Sequence, residues 1–519
     1  MRVAVIGAGP KGLFATERLL ARRGTGPLEV VVFDPREPGT GAAYGRAQPD
    51  WLRLNVTSAI VDAGWRTGPC PSPAWLVGFD DWRGAAGSPG SFAPRHLVGR
   101  YLDWVWRGLQ ATAGDGATLA HRRRQVTALT PAGPAWSVHG ERFDEVLLAT
   151  GHADDWDGAL RHRWRGPERL VPAVFPLTGL EGIAAGASVA VRGAALTFLD
   201  AALALTEGRG GRFTGDGPLQ YRRSGAEPGV VWPTSRTGRW MEVKPEPGSA
   251  LAALDRAAAV AAATAAVAAA ESSQLALAEV GRLAGDLLVL VGASGSATAG
   301  GDGVAAVLSG AAGGDPTDGL RRSWEVATGR RVPSAAWAVG QAWRDLYPAL
   351  TRRFGGVDAP EAFGAFAGVA ARLERVAFGP PPGNAAKLLA LIDAGLVDPA
   401  ALTGAVVDEE GFQWRSGAGP AAAVVVDAVL PPPGVAHLPA SLPGRLVAAG
   451  LIVRAPGRRG VAIDSDGTCL APDGTRRRGL AALGRPTEDV TIGNDTLNRS
   501  LHDTADRWAA RVTTTRTAR

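Results

Sequence analysis

The chain opens on an unbroken apolar run, Val3-Ala4-Val5-Ile6, followed at once by Gly7-Ala8-Gly9-Pro10-Lys11-Gly12 and by apolar positions at helical spacing from Leu13 to Arg22. A second apolar run, Leu28 to Phe33, ends on Asp34. Short continuous apolar runs of this kind mark strands buried on both faces, as in parallel sheets. Strand, glycine turn, helix and a strand closing on an acid make a βαβ unit with a dinucleotide fingerprint in its required context. Gly7 makes the tight turn, Gly9 lets backbone approach a pyrophosphate, and Gly12 lets the helix pack on the sheet. The helix N-terminus, carrying Pro10 and Lys11, then faces the phosphates. Asp34 falls where a carboxylate accepts hydrogen bonds from a ribose.

Further on, Phe143 to Leu148 reads as a buried strand ending in the small-residue turn Ala149-Thr150-Gly151-His152. A second strand-to-helix start follows, with Ser188 to Val191, Arg192, then Gly193-Ala194-Ala195-Leu196-Thr197 and a helix to Thr206. Two such starts suggest two nucleotides. Ala195 stands where a second fingerprint normally carries glycine, and a Cβ there crowds the approach of a pyrophosphate. Arg222 and Arg223 follow a further strand candidate. From Leu251 to Ala284 the pattern is helical and alanine-rich. Leu287 to Val291 reads as a short buried strand, and a Gly/Ser/Ala-rich stretch runs to about Gly314. Helices are expected at Ser334–Arg353, Pro360–Phe378 and Ala385–Leu396. Strand character returns at Ala422 to Leu430, before Pro431-Pro432-Pro433-Gly434; Arg445 to Leu451 and Gly479 to Arg485 follow.

The expected fold is α/β, with two Rossmann-like dinucleotide-binding domains, the first of them discontinuous, and a largely helical insertion. The first domain spans 1–180 and returns at 440–510; the second spans 185–435 with the insertion at about 250–400; 511–519 is a flexible tail. No heptad or repeat is visible in the insertion.

Composition narrows the class. Hydrophobic residues make up 46% and charged residues 20%, with a net charge of +5, which excludes a disordered chain. The pI near 9.6 comes from arginine, and its basic runs are short, as at Arg122-Arg123-Arg124, so a solvated surface is the reading and no nucleic-acid partner is expected. Two cysteines, Cys70 and Cys469, give neither a disulfide framework nor a metal site. The seven histidines show no HxxxH or HExxH spacing, so no metal is expected. A strand begins within the first residues, and the Ala257–Ala270 run is short of a bilayer span, so a cytoplasmic location without a membrane partner is expected. The sixteen tryptophans are read as core.

Together, Val3 to Leu20, Trp51-Leu52-Arg53-Leu54-Asn55-Val56, Ala93-Pro94-Arg95 to Leu102, Leu148 to His152, Gly193 to Asp200, Ser235-Arg236-Thr237-Gly238, Trp343 to Pro348 and Gly484 to Glu488 resemble a family of FAD/NAD(P)-binding flavoproteins. That family includes aspartate N-monooxygenases and FAD-dependent urate hydroxylases, relatives of the class B flavin monooxygenases. The resemblance implies FAD on the Gly7/Gly9/Gly12 turn, with Asp34 on its ribose, Thr150, Gly151, His152, Asn494 and Asp495 lining it, and Asn55 near the flavin. It implies NADPH on the second turn at Gly193 and Thr197, with Arg222 and Arg223 as candidates for pairing with its 2′-phosphate. NADPH would reduce FAD, O2 would form a C4a-hydroperoxide, and a neutral amine would take its distal oxygen. The expected substrate is thus an amino acid, aspartate-like, or a small amine in specialised metabolism such as antibiotic biosynthesis. Asn55 and Arg236 are the catalytic candidates; Arg53, Arg239 and Lys244 are candidates for holding substrate carboxylates. Two alternatives stay open, a urate-like ring or carbon hydroxylase and a flavin-binding redox or partner module. The oligomeric state is not legible.

Overall fold

The computed structural model describes all residues except 25, 85–86, 115, 153–155, 294–300, 310–313 and 518–519. It is mixed α/β and separates into two units, Met1–Asp155 with Thr351–Gly364 and Pro432–Arg519, and Trp156–Leu350 with Ala365–Pro431.

In the first unit the opening runs form a six-stranded sheet in the order Thr468–Leu470, Arg476–Ala482, Glu145–Leu148, Arg2–Ile6, Leu28–Phe33, Ala117–Arg122. All neighbours are parallel except the first pair. Alternation along the first strand assigns its two faces. Val3 and Val5 join a core with Leu13, Leu19, Tyr101, Leu102 and Trp508 from the helices Pro10–Ala21, Arg95–Thr112 and Thr504–Thr517. Ala4 and Ile6 join Trp136, Val138 and Phe143 from the antiparallel meander Thr130–Ala132, Ala135–Val138, Glu141–Phe143. Both faces are therefore covered, which is why the strand carries no polar alternation. The segment Thr351–Gly364 is clipped here by Arg458, whose guanidinium donates to the carbonyls of Phe354, Asp358 and Asp489 at 3.1, 3.0 and 2.6 Å.

The second unit is built on a four-stranded parallel sheet, Val230–Thr234, Ser188–Arg192, Val424–Asp427, Arg169–Val171. The helices Leu196–Leu205 and Pro382–Asp393 cover one face; the hairpin Ala405–Asp408, Gly411–Trp414 joins the core on the other. The helical insertion contains Ala257–Ala269, Ser273–Leu290, Gly301–Ser309, Pro316–Ala327, Ala335–Phe354 and Pro360–Ala377.

Four expectations are corrected. Leu287 to Val291 is not a strand; it ends the helix Ser273–Leu290, whose buried positions Ala276, Val280, Leu283, Ala284, Leu287 and Leu288 recur at helical spacing and whose N-terminus is capped by Ser272. Arg445 to Leu451 overlaps a helix, Leu442–Ala448, capped by Ser441. The opening stretch of the first unit runs to Asp155 and not to 180, and Arg169–Val171 pairs with Val424–Asp427 in the second sheet. The segment after Arg511 continues the helix Thr504–Thr517, anchored where Trp508 is fully buried and its indole donates to Glu145 at 3.0 Å. Parts of the Gly/Ser/Ala-rich stretch, 294–300 and 310–313, lie outside the described residues.

Candidate nucleotide-binding and active site

The first turn leaves the strand at Ile6, where Gly7 adopts φ +105° and its N–H donates to Phe33 O at 2.9 Å. A Cβ on Gly7 would lie 2.1 Å from Ala149 O, and one on Gly12 would lie 1.9 Å from Gly7 O. Both glycines are demanded by the fold itself. Gly9 is different. Its φ of −67° and ψ of −177° suit any residue, and a Cβ there would meet only Gly41 Cα at 3.5 Å, an ordinary contact. Nothing within the protein requires glycine at that place, so the space it leaves is space for a ligand.

Asp34 follows the second strand and is buried, with one carboxylate oxygen accepting from Ala8 N at 2.8 Å and the other from Arg36 N at 2.8 Å. Each oxygen keeps a lone pair for a ribose hydroxyl. A cleft open to solvent is lined by Gly7 and Asp34, by Arg124 and Thr127, by Thr150, Gly151 and His152, and by Ser441 and Arg445. The expected FAD-lining residues Gly7, Asp34, Thr150, Gly151 and His152 are thus brought together. Arg124 to Thr127, in a loop, and Ser441 to Arg445, at the start of the helix Leu442–Ala448, carry no motif and were not legible as site residues, since both are distant in sequence from the turn. The donor set, a glycine cradle and an acid at the end of the second strand, fits a dinucleotide.

Lys11 enters the same turn from the helix N-terminus. Its Nζ donates to Thr496 O at 2.7 Å, and desolvation pulls it down to about 8 despite the Asp495 charge. Asn494 is buried, its Nδ2 donating to Glu488 at 2.8 Å and to Thr491 O at 3.1 Å, while its Oδ1 finds no donor. Asp495 is exposed and accepts from Arg485 at 3.2 Å. His502, next to Lys11, is held down to about 4 by burial first and by the Lys11 charge second. In the same unit Arg53 donates to Phe92 O at 3.0 Å and its own carbonyl accepts from Arg95 at 3.1 Å, while Asn55 is half-buried.

The second unit repeats the first turn's geometry. Arg192 stands opposite Thr234 as Ile6 stands opposite Phe33, and Gly193 N donates to Thr234 O at 3.0 Å with φ +106°. Ala195 caps the following helix with an extended backbone and is exposed. The third fingerprint position holds Phe198, fully buried with its ring 5.5 Å from that of Trp240, so this helix start meets its sheet through an aromatic side chain instead of through glycine. The spacing from Gly193 already shows this departure. Thr197 lies on the first turn of the helix.

By the same register, the residue corresponding to Asp34 is Ser235, followed by Arg236 and Thr237. Ser235 Oγ lies 3.1 Å from Thr237 Oγ1, and Arg236 is exposed. Arg222 and Arg223 stand elsewhere: Arg222 ends the second strand of the separate hairpin Arg212–Thr214, Gln220–Arg222, and Arg223 donates to Ala394 O at 2.9 Å. A hairpin inserted before the strand Val230–Thr234 took the place where sequence counting put that strand's end. Arg239 is half-buried, and Lys244 is buried with its ammonium 5.8 Å from the Phe378 ring centre. Arg236, Arg239 and Lys244 belong to the second unit and Arg53 and Asn55 to the first. Among the described residues no group of three His, Cys, Asp or Glu side chains could hold a metal ion, and no helix is long and apolar enough to cross a membrane.

Residues 4–153 match the family model described as FAD-NAD(P)-binding. The chain is 33% identical over 274 residues to an L-aspartate N-monooxygenase (nitrosuccinate-forming) of Streptomyces davaonensis, covering 44% of this chain and 42% of the relative. It is 30% identical over 253 residues to the nitrosuccinic acid synthase npaA of Aspergillus oryzae, covering 44% and 38%. The matches thus span about two-fifths of the length of these relatives. Among solved structures, an open crystal structure of cyclohexanone monooxygenase aligns over 100% of this chain and 88% of its own at 15% identity, with a TM-score of 0.45. The glycine cradle and the closing acid thus lie in residues 4–153, the part of the chain that matches the FAD-NAD(P)-binding family model.

Proposed function

We propose that the chain is an FAD-dependent, NADPH-driven monooxygenase that N-hydroxylates the amine of an aspartate-like amino acid. The observation that carries the reading is the pair of βαβ turns with matching registers, and the similarity of part of the chain to nitrosuccinate-forming relatives supports it. The overall reaction is amine plus O2, NADPH and a proton giving hydroxylamine, NADP⁺ and water. FAD, when bound, supplies the hydride acceptance and oxygen activation. The protein's part is binding, orientation and control of protons.

The amide N–H groups at the start of Pro10–Ala21 and the Lys11 ammonium answer pyrophosphate charge, and Asp34 holds the adenosine ribose. On the second unit Ser235 and Arg236 stand where the first unit carries its ribose-binding acid. Replacing an acid by hydroxyl and guanidinium turns a ribose site into a 2′-phosphate site, which selects NADPH over NADH. This assigns Arg236 to the nucleotide and relieves Arg222 and Arg223 of that role. On the second unit Arg239 and Lys244 supply cations for substrate carboxylates, and the attacking amine must shed its proton first.

The test is the visible spectrum of the purified chain before and after anaerobic NADPH, followed by NADPH consumption and hydroxylamine or nitro product with L-aspartate and an amino-acid panel. Bleaching and coupled product support the reading. A chain without flavin, or one whose NADPH use yields only peroxide with every amine, overturns it; stimulation by a purine or aromatic ring instead would establish the ring-hydroxylase alternative.

A further inference from the structure

The two units fill the same place in their sheets with opposite chemistry. In the first, Ile6 ends the strand before the turn and stands beside Leu148 of the neighbouring strand, both in an apolar core. In the second, the corresponding residues are Arg192 and Asp427. Asp427 is fully buried, with its two carboxylate oxygens 3.1 and 3.2 Å from Arg192 Nη1, and it also accepts from Val429 N at 3.1 Å and from the backbone of Ala159. Burial raises it above the usual aspartate range against the pull of Arg192. The fold does not ask for this cost: an apolar pair fills the same place in the first sheet, and replacing a buried ion pair by apolar side chains is commonly neutral or stabilising. Arg192 is not buried with its partner. Its side chain keeps 30% of its surface exposed, and among the described residues its Nε and Nη2 donate to no acceptor. Asp427 neutralises the guanidinium and fixes it through Nη1, so the pair presents one planar edge of free donors, the geometry that suits phosphate oxygens.

Arg192 immediately precedes Gly193, at the carboxyl end of a parallel sheet, where α/β folds bind nucleotides. Its strand lies between Val230–Thr234, which leads into Ser235 and Arg236, and Val424–Asp427. A dinucleotide with its 2′-phosphate on Ser235 and Arg236 therefore crosses the end of Ser188–Arg192 next. The second turn has room for it there: a Cβ on Gly193 would meet Ala428 at 3.7 Å, whereas one on Gly7 would lie 2.1 Å from Ala149 O. The same turn offers a pyrophosphate a poorer cradle than the first, since Ala195 and Phe198 stand where the first turn carries Gly9 and Gly12. We propose that the free edge of Arg192, held in place by Asp427, binds the pyrophosphate of the nicotinamide dinucleotide on the second turn. The inference deepens the proposed function and rests on it for the identity of the nucleotide.

The test measures NADP⁺ and NAD⁺ binding to the flavin-loaded protein by calorimetry, in wild type and in two double variants that remove the guanidinium without leaving Asp427 unpaired. One is Arg192→Ile with Asp427→Leu, the pair the first unit carries; the other is Arg192→Gln with Asp427→Asn, whose amides can hydrogen-bond to each other. Melting temperature and flavin content check that each variant is folded. The expected result is wild-type flavin content with nucleotide affinity lowered about 10- to 100-fold, the worth of a charge-assisted hydrogen bond. The factor should be the same for both nucleotides, because both carry the pyrophosphate, whereas loss of a 2′-phosphate contact separates them. The second double variant decides where the first folds poorly. Wild-type affinity in a folded double variant, a loss confined to NADP⁺, or a wild type that binds neither nucleotide overturns the inference. Binding lost equally in the variants, with no amine stimulating turnover in wild type, refutes the proposed reaction and leaves the inference standing; amine-coupled turnover with nucleotide affinity unchanged in the variants does the reverse.

Discussion

Gly9 and Gly12 stand three residues apart in one turn, and the structure gives them opposite reasons for being glycine. An alanine Cβ at Gly12 would lie 1.9 Å from Gly7 O and 3.3 Å from Val5 Cγ1, so backbone must move. Overpacking of this kind costs about 3 kcal/mol or more, while the better helix propensity of alanine returns about 1 kcal/mol. Gly12→Ala should therefore lose about 2 kcal/mol or more in the flavin-free protein. At Gly9 the only neighbour is Gly41 Cα at 3.5 Å, and the backbone is extended. Losing a glycine helix cap costs about 1 kcal/mol, a shift of about 2–4 °C. Gly9→Ala should thus fold, yet obstruct a pyrophosphate lying against that backbone and lose flavin affinity by about 10- to 100-fold. The assay compares melting temperatures of the flavin-free variants, so that ligand stabilisation does not enter, and then flavin content and affinity by absorbance and fluorescence titration. Wild-type flavin affinity in Gly9→Ala, or wild-type stability in Gly12→Ala, would refute the reasoning.

Three further outcomes are expected. Replacing Arg236 with alanine should raise the KM for NADPH by about 10- to 100-fold, the worth of one charge-assisted hydrogen bond, and leave that for NADH nearly unchanged; steady-state kinetics with both nucleotides decides, and equal losses would place Arg236 elsewhere. Trp508→Ala should cost about 3–5 kcal/mol in denaturant unfolding, since the ring is fully buried and its N–H reaches Glu145; a loss below about 1 kcal/mol would return this helix to the status of a loose tail. His502 stays neutral in the folded chain down to about pH 4, whereas unfolded it takes a proton near 6.5, so the unfolded state binds more protons between these values. Its contribution is complete above pH 6.5 and falls as pH drops, by about 2 kcal/mol at pH 5. Unfolding at pH 7 and pH 5 should show a smaller pH dependence in His502→Gln than in wild type, and identical pH dependence would contradict the assignment.

The first nucleotide turn was legible in the sequence because its determinants are local: two apolar runs, three glycines and an acid within the opening residues of one βαβ unit. The helices of the insertion were legible for the same reason, as periodicity reports burial on one face. Leu287 to Val291 was misread because a short apolar run at the end of a helix looks like a strand until Ala276, Val280 and Leu283 are seen to share its buried face. Tertiary structure alone decided which distant segments complete each site. Arg169–Val171 joins Val424–Asp427, so the boundary between units lies where pairing changes sheets and no composition shift marks it. Ser235 and Arg236 acquire their place opposite Gly193 only through strand register, since the intervening hairpin makes distance along the chain a poor guide. Glu242, Ser323, Trp337 and Arg344, from separate stretches of the chain, come to line one small recess only when the helices pack.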